Sequence, residues 1–168
     1  MNENFLREEI DSLGLDGMTY VKSLKETCDV IPEKPGVYVV LGNYSEMPEF
    51  LIKGSGPEFN VKNGVSTAMN YPVEKLEGKW VDDTWIMYIG KTDDALRDRI
   101  STYIKFGKGK DVPHRGGRAI WQLPDSDELL IGWKIIEGKG KAAATEKEWL
   151  KDFKTRHHNQ LPFANWRS

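Results

Sequence analysis

A glutamate on the apolar side of a predicted helix is the first residue whose position could serve chemistry. The spacing of apolar residues predicts a helix over 142–158. Its apolar stripe consists of Ala142, Trp149, Leu150 and Phe153. Glu146 lies near the middle of that stripe, and a carboxylate facing a core is costly unless it is paired, protonated or bound to a metal. Glu146 is therefore either a carboxylate that reaches out to solvent or pairs with an arginine, or a ligand for a hard cation such as Mg²⁺, which is often held by one or two carboxylates plus phosphate and water.

Two cations and two tyrosines could complete such a site. Lys91 follows a predicted strand and Arg99 lies in the next predicted helix, so the two could bind opposite edges of a phosphate group. Periodicity does not separate Arg97 from Arg99, because both flank the apolar stripe of that helix at similar angles. Tyr38 and Tyr88 lie on predicted strands, and a phenol becomes a usable base only beside cations or a metal. The sequence leaves open which tyrosine would be that base.

Positive charge is concentrated in one window of a chain whose net charge is −2. Residues 95–118 hold seven Lys or Arg against two Asp, a net charge of +5. The cations are Arg97, Arg99, Lys105, Lys108, Lys110, Arg115 and Arg118, with His114 among them. This window could form a positive surface that contacts phosphates, or simply a solvated helix and loop.

Alternating and β-branched runs predict the strands that would position these residues. Residues 36–41 predict a buried strand with Tyr38 and Val40 on one face. Residues 85–90 predict a second strand, on which Ile86 and Tyr88 share a face. Residues 129–136 predict a third strand and 119–123 a weaker one. A helix is predicted between the second strand and residue 119, and Asp93 or Asp94 would cap it. Its apolar stripe consists of Leu96, Ile100, Tyr103 and Ile104.

The remaining segments predict an α+β fold with an antiparallel sheet. Residues 3–28 have helical spacing, and the turn-rich stretch 42–83 contains at most one short strand, at 50–53. The length of 168 residues favours one domain, and no apolar run approaches the length that spans a bilayer. The N-terminus lacks the apolar core of a signal peptide, and the single Cys28 excludes an internal disulfide. We expect a cytoplasmic protein with no membrane partner.

Short motifs that each mean little alone follow one another in a specific order. In chain order they are Gly36-Val37-Tyr38, Tyr88-Ile89-Gly90-Lys91, Leu96-Arg97-Asp98-Arg99-Ile100 with Tyr103, Glu146, and Pro162-Phe163-Ala164-Asn165. This order resembles the GIY-YIG nuclease family, which includes the incision module of excision-repair nucleases, certain homing endonucleases and some restriction enzymes. The resemblance covers residues 34–41 and 84–166. Val37 replaces the isoleucine of the first motif, and residues 42–83 form a long insertion between the two tyrosine motifs.

The resemblance implies a small three-stranded antiparallel sheet flanked by helices, within one domain over 1–168 that begins with a helical extension over 1–33. It implies a divalent metal, Mg²⁺ or Mn²⁺, on Glu146. The catalytic residues that it implies are Tyr38, Tyr88, Lys91, Arg99, Tyr103 and Glu146. Nucleic-acid contacts are expected from Arg97, Lys105, Lys108, Lys110, His114, Arg115, Arg118 and Asn165.

The sequence thus favours a metal-dependent endonuclease that acts on nucleic acid, with DNA favoured over RNA. A nucleic-acid-binding module that uses the same positive face without cleaving is the alternative. A third hypothesis is a protein-interaction domain with Trp80, Trp85 and Trp166 as contacts. The sequence is compatible with a monomer or a homodimer, because one small site can cut both strands of a duplex only with two copies of the chain or by acting twice.

Overall fold

The computed structural model describes residues 3–166, so the two residues at each end of the predicted domain lie outside the described part. Its helices are α1 (Glu3–Asp11), α2 (Val21–Leu24), α3 (Val73–Lys79), α4 (Leu96–Gly107) and α5 (Lys141–Arg156). Its strands are β1 (Gly17–Tyr20), β2 (Gly36–Leu41), β3 (Phe59–Lys62), β4 (Val65–Ala68), β5 (Ile86–Thr92) and β6 (Leu130–Ile135). Two 3₁₀ helices cover Arg118–Gln122 and Ser126–Glu128.

The main sheet is antiparallel and has four strands in the order β1-β6-β2-β5, with β3 and β4 forming a separate hairpin. The α+β class is confirmed, but the predicted count of three strands is wrong. The fourth strand, β1, lies where helical spacing predicted only helices. It is four residues long, so its alternation was too short to recognise, and β6 holds it by backbone pairing. Gly17 also leaves room for a tryptophan of β6, since a Cβ there would lie 2.4 Å from Trp133 Cζ2.

The sheet separates two apolar clusters, which is why the central strand β2 is buried on both faces. The cluster on the α4 side contains Tyr38, Val40, Ile100, Tyr103, Ile131 and Trp133. The cluster on the α5 side contains Val39, Leu41, Ile86, Ile89, Leu150 and Phe153. The predicted faces of β2 are therefore confirmed.

A β-bulge in β5 overturns the predicted face of that strand. Val40 pairs with Tyr88 whereas Leu41 pairs with Ile86, so Met87 is the extra residue. Ile86 consequently packs toward α5, and Tyr88 packs toward α4. Strict alternation predicted these two residues on one face, because it does not account for the extra residue of a bulge.

Two further local predictions are wrong. Residues 119–123 lie mostly in the 3₁₀ helix, whose buried residues pack in the α4-side cluster. Neither Asp93 nor Asp94 caps α4, because the capping position is Ala95 and no side chain caps it. The first helical amides instead donate to the carbonyls of Lys34 (2.8 Å) and Pro32 (3.2 Å).

The insertion is ordered by one side chain of that 3₁₀ helix. Gln122 is 1% exposed; its Nε2 donates to the carbonyls of Leu51 and Tyr71, both at 3.0 Å, and its Oε1 accepts from the Tyr71 amide at 2.8 Å. No strand forms at 50–53. The hairpin turn is Asn63-Gly64, both with positive φ, as a two-residue hairpin loop requires.

A buried polar cluster fastens the N-terminal extension to the α5 side of the sheet. Glu9, on α1, accepts from Thr84 Oγ1 at 2.6 Å and contacts His157 Nε2 at 2.6 Å. All three residues are at most 5% exposed. Among the helices of residues 3–166, none is both long and apolar enough to cross a membrane.

Candidate active site

An open cleft of about 580 Å³ lies at the edge of β5, between α5, the loop before the 3₁₀ helix, the insertion and the C-terminal tail. Its lining residues are Tyr71, Tyr88, Ile89, Arg115, Gly116, Gly117, Arg118, Glu146, Ala164, Asn165 and Trp166. Segments that are far apart in sequence therefore meet in this cleft, and they include two of the predicted catalytic residues, Tyr88 and Glu146.

Glu146 is the only carboxylate among the lining residues of the cleft. It is half-buried on α5, and within residues 3–166 it forms no ion pair. Burial raises the pKa of its carboxyl, and the positive charges of Lys91 and Arg99 act in the opposite direction. Pairing with an arginine is not found among residues 3–166, whereas the half-buried position still allows the carboxylate to reach solvent.

Three tyrosines form a cluster beside this carboxylate. The ring centroid of Tyr38 lies 6.0 Å from that of Tyr88 and 6.3 Å from that of Tyr103, and Tyr88 stacks on Tyr103 at 6.0 Å. Tyr38 and Tyr103 are buried, at 2% and 3% exposure, and only Tyr88 lines the cleft. The Tyr103 hydroxyl donates to the Gly117 carbonyl at 2.9 Å, so it supports the loop.

The electrostatics of the cluster distinguish Tyr38 from Tyr88. Burial raises the pKa of Tyr38 well above its usual value, and the neighbouring Tyr88 raises it further. Burial also raises the pKa of Tyr88, as does the negative charge of Glu146, while a hydrogen bond from Tyr38 and the charge of Arg99 lower it. The pKa of Tyr88 is therefore raised less than that of Tyr38, and Tyr88 is the one of the two that lines the cleft.

Glycines allow these rings to sit where they do. A Cβ at Gly117 would lie 2.9 Å from Tyr88 Cζ, and one at Gly116 would lie 2.9 Å from the Tyr88 hydroxyl. Gly117 also has a φ of 75°, a conformation that side chains disfavour. Nothing local in the sequence shows that a distant tyrosine packs on these two glycines.

We expect Gly90→Ala to lower the free energy of unfolding by about 1–3 kcal/mol through overpacking. A Cβ at Gly90 would lie 2.5 Å from Tyr38 Cζ and 2.7 Å from its hydroxyl, so the ring must move. Chemical denaturation measures the change. The matched control is Gly78→Ala on α3, where the new Cβ meets no atom within 4 Å and stability should rise by about 0.4–1 kcal/mol. Equal losses in the two variants would contradict this account of Gly90.

The structure separates the two arginines that periodicity could not. Arg97 donates to the carbonyls of Ile31 (2.8 Å) and Asp29 (3.0 Å) and pairs with Glu33 at 2.6 Å, so it fastens the segment before β2 and does not line the cleft. Arg99 Nη1 donates to the Lys91 carbonyl at 3.0 Å.

Arg99 and Lys91 lie close enough to the cleft to affect its titrating groups. The charge of Arg99 influences the pKa of Tyr38, Tyr88 and Glu146, and Lys91 lowers that of Glu146. Lys91 also pairs with Asp93 at 3.5 Å. The two predicted cations therefore act on the carboxylate through their charge, although neither pairs with it and neither lines the cleft.

The other cations of the positive window differ in position. Arg115 lines the cleft, pairs with Asp111 at 3.7 Å, and has a buried Nε with no hydrogen-bond partner in the described part of the chain. Arg118 also lines the cleft. His114 is largely exposed. The pKa of its imidazole is lowered, mainly by partial burial and to a smaller extent by the positive charge of Arg99. Lys105, Lys108 and Lys110 are exposed near the end of α4 and do not line the cleft.

Asn165 has a structural task that the sequence did not reveal. Its Oδ1 accepts from the Ile89 amide and its Nδ2 donates to the Ile89 carbonyl, both at 2.9 Å, and the residue is 7% exposed. The neighbouring Ala164 amide donates to the Met87 carbonyl at 2.9 Å. The tail therefore covers the open edge of β5, and the Asn165 amide is engaged by backbone groups.

Comparisons with known protein families, with curated proteins and with solved structures find no match to this chain. Among residues 3–166, no group of three or more His, Cys, Asp or Glu side chains is placed to hold a metal ion.

Proposed function

We propose that this protein is a metal-dependent endonuclease of the GIY-YIG type, which hydrolyses phosphodiester bonds of DNA. The observation that carries the proposal is Glu146, a half-buried carboxylate without an ion-pair partner in residues 3–166 that shares one cleft with Tyr88 and Arg115. Lys91 and Arg99 act on the same carboxylate. The order of the sequence motifs supports the same conclusion.

The donor set fits a hard divalent cation. One carboxylate that lacks an ion-pair partner leaves most coordination positions to water and phosphate oxygens, which is how Mg²⁺ is commonly bound. Glu146 would hold Mg²⁺ or Mn²⁺, and the bound cation would supply Lewis-acid charge to the phosphate oxygens. The raised pKa of Glu146 indicates a carboxylate whose charge is poorly solvated by the protein alone.

The chain's own groups would act on the nucleophile and on the phosphate. Tyr88 is the assigned general base, because it lines the cleft and its pKa is raised less than that of the buried Tyr38. In its phenolate form, Tyr88 takes a proton from a water molecule, whose oxygen bonds to phosphorus as the bond to the leaving oxygen breaks. The leaving oxygen departs as an alkoxide that takes up a proton from solvent. Arg99 and Lys91 stabilise the charge that develops, and Arg115, which lines the cleft, can donate from its guanidinium to a phosphoryl oxygen.

Purified protein is expected to nick or cut plasmid DNA with Mg²⁺ or Mn²⁺, and EDTA should abolish the cutting. Arg99→Ala should slow it on the order of 10²- to 10³-fold, the usual cost of losing one charge-stabilising donor. Gel-based initial rates measure both effects. Arg7→Ala, which removes an exposed arginine that pairs with Glu3 on α1, is the matched control and should retain the wild-type rate. Equal cutting by wild type and Arg99→Ala would contradict the mechanism.

A second candidate is a module that binds nucleic acid without cleaving it. The observation that favours it is that burial raises the pKa of both Tyr38 and Tyr88, which disfavours a phenolate at neutral pH. Salt-sensitive DNA binding without strand breaks in either metal would support this candidate over the nuclease.

A further inference from the structure

The insertion adds a stack of cations and aromatic rings to the rim of the cleft. Arg118 lies over the Tyr71 ring at 4.3 Å from its centroid, and Tyr71 stacks on Trp166 at 3.8 Å with an interplanar angle of 24°. The ammonium groups of Lys75 and Lys79 lie 5.5 and 5.4 Å from the Trp166 ring. We call these five residues the cation–aromatic ladder. Only Arg118 belongs to the positive window, and Tyr71, Lys75 and Lys79 come from the insertion.

The positive charges of the ladder are not neutralised by carboxylates. Among the ion pairs within residues 3–166, none involves Arg118, Lys75 or Lys79. Lys75 and Lys79 are one turn apart on α3 and so share a face, whereas Glu77 lies two positions from each and points away. The helix therefore presents its positive side to Trp166 and its acidic side elsewhere.

The ladder is held rigidly next to the proposed catalytic groups. Tyr71, Arg118 and Trp166 line the same cleft as Glu146 and Tyr88. The backbone of Tyr71 is fixed by Gln122, and Arg118 Nε donates to the Met69 carbonyl at 3.1 Å. Cation–π contacts order the side chains without cancelling their charge, so the cations stay available to an anion.

We propose that the cation–aromatic ladder binds the backbone phosphates of the DNA strand that runs out of the cleft, so that the insertion determines where the substrate lies. This inference rests on the proposed nuclease function. Backbone binding is favoured over base stacking because Tyr71 has Arg118 on one face and Trp166 on the other, while the lysines occupy the outer face of Trp166. A free aromatic face, which a stacked base requires, is missing from the ladder.

The test compares two double variants that each remove two lysines placed over aromatic rings. Lys75→Gln/Lys79→Gln removes the ladder lysines, which are exposed and whose loss should not disturb folding. Lys22→Gln/Lys25→Gln is the matched control, because these lysines also lie over rings but pair with Glu128 and Asp127. Fluorescence anisotropy with a labelled DNA duplex in EDTA gives the dissociation constant across about 50–200 mM salt.

The ladder variant is expected to reduce the slope of log affinity against log salt by about 2, the value for two lost phosphate contacts, and to raise KM while kcat is kept. The control should keep the wild-type slope. Identical slopes for wild type and ladder variant, with cleavage intact, would overturn the ladder inference alone. Wild-type protein that neither binds nor cuts DNA would overturn the proposed function, and the ladder inference with it.

Discussion

Glu146→Gln is expected to reduce Mg²⁺-dependent cleavage on the order of 10²- to 10³-fold at neutral pH. The substitution keeps the size of a half-buried side chain and removes the one negative charge on the cleft lining that could attract a divalent cation. An amide oxygen binds Mg²⁺ more weakly than a carboxylate does, so raising the metal concentration should restore part of the rate. Initial cleavage rates across a Mg²⁺ series measure this.

The stability of the same variant separates a chemical role from a structural one. Burial raises the pKa of Glu146, so its charged form costs folding free energy above that pKa, and the neutral glutamine removes this cost. We therefore expect Glu146→Gln to unfold at the same denaturant concentration as wild type or at a higher one. Glu148→Gln, an exposed position on another side of α5, is the control and should change neither rate nor stability. A rate loss matched by a comparable destabilisation would argue against a metal-ligand role.

The sequence predicted the central part of the fold because its signals there are local and strong. The buried run at 36–41 and the apolar stripe of α4 each depend on residues a few positions apart. Strand β1 was not predicted, because a four-residue strand becomes stable only by pairing with β6, more than one hundred positions away. The bulge at Met87 was invisible for the same reason, since it exists only relative to the partner strand.

The sequence predicted which residues belong to the candidate site better than it predicted what each of them contacts. Glu146 could be identified from its place on an apolar helix face. Arg97 and Arg99 could not be separated, because their difference lies in whether the carbonyls at 29 and 31 are within reach. The contribution of Tyr71 was missed entirely, since its position depends on Gln122, a polar residue in a segment predicted as a strand.

Replacing the three clustered tyrosines one at a time should give three different results. Tyr88→Phe is expected to reduce the cleavage rate on the order of 10²- to 10⁴-fold, the range for loss of a general base. Tyr38→Phe should cost about fivefold, because the interaction of its hydroxyl with Tyr88, about 1 kcal/mol, is lost. Tyr103→Phe should leave the rate nearly unchanged and lower stability by about 1 kcal/mol, since within residues 3–166 its hydroxyl hydrogen-bonds only to the Gly117 carbonyl.

The ranking of the three variants, rather than any single loss, tests the assignment of the base. All three substitutions delete one hydroxyl from rings that pack within 6.3 Å of one another, so a general disturbance of packing would affect them alike. Single-turnover rates for each variant, with unfolding curves measured alongside, separate chemistry from stability. A larger loss in Tyr38→Phe than in Tyr88→Phe would move the base to the buried tyrosine. Tyr88 would then become the residue that orients it, because the two rings lie 6.0 Å apart.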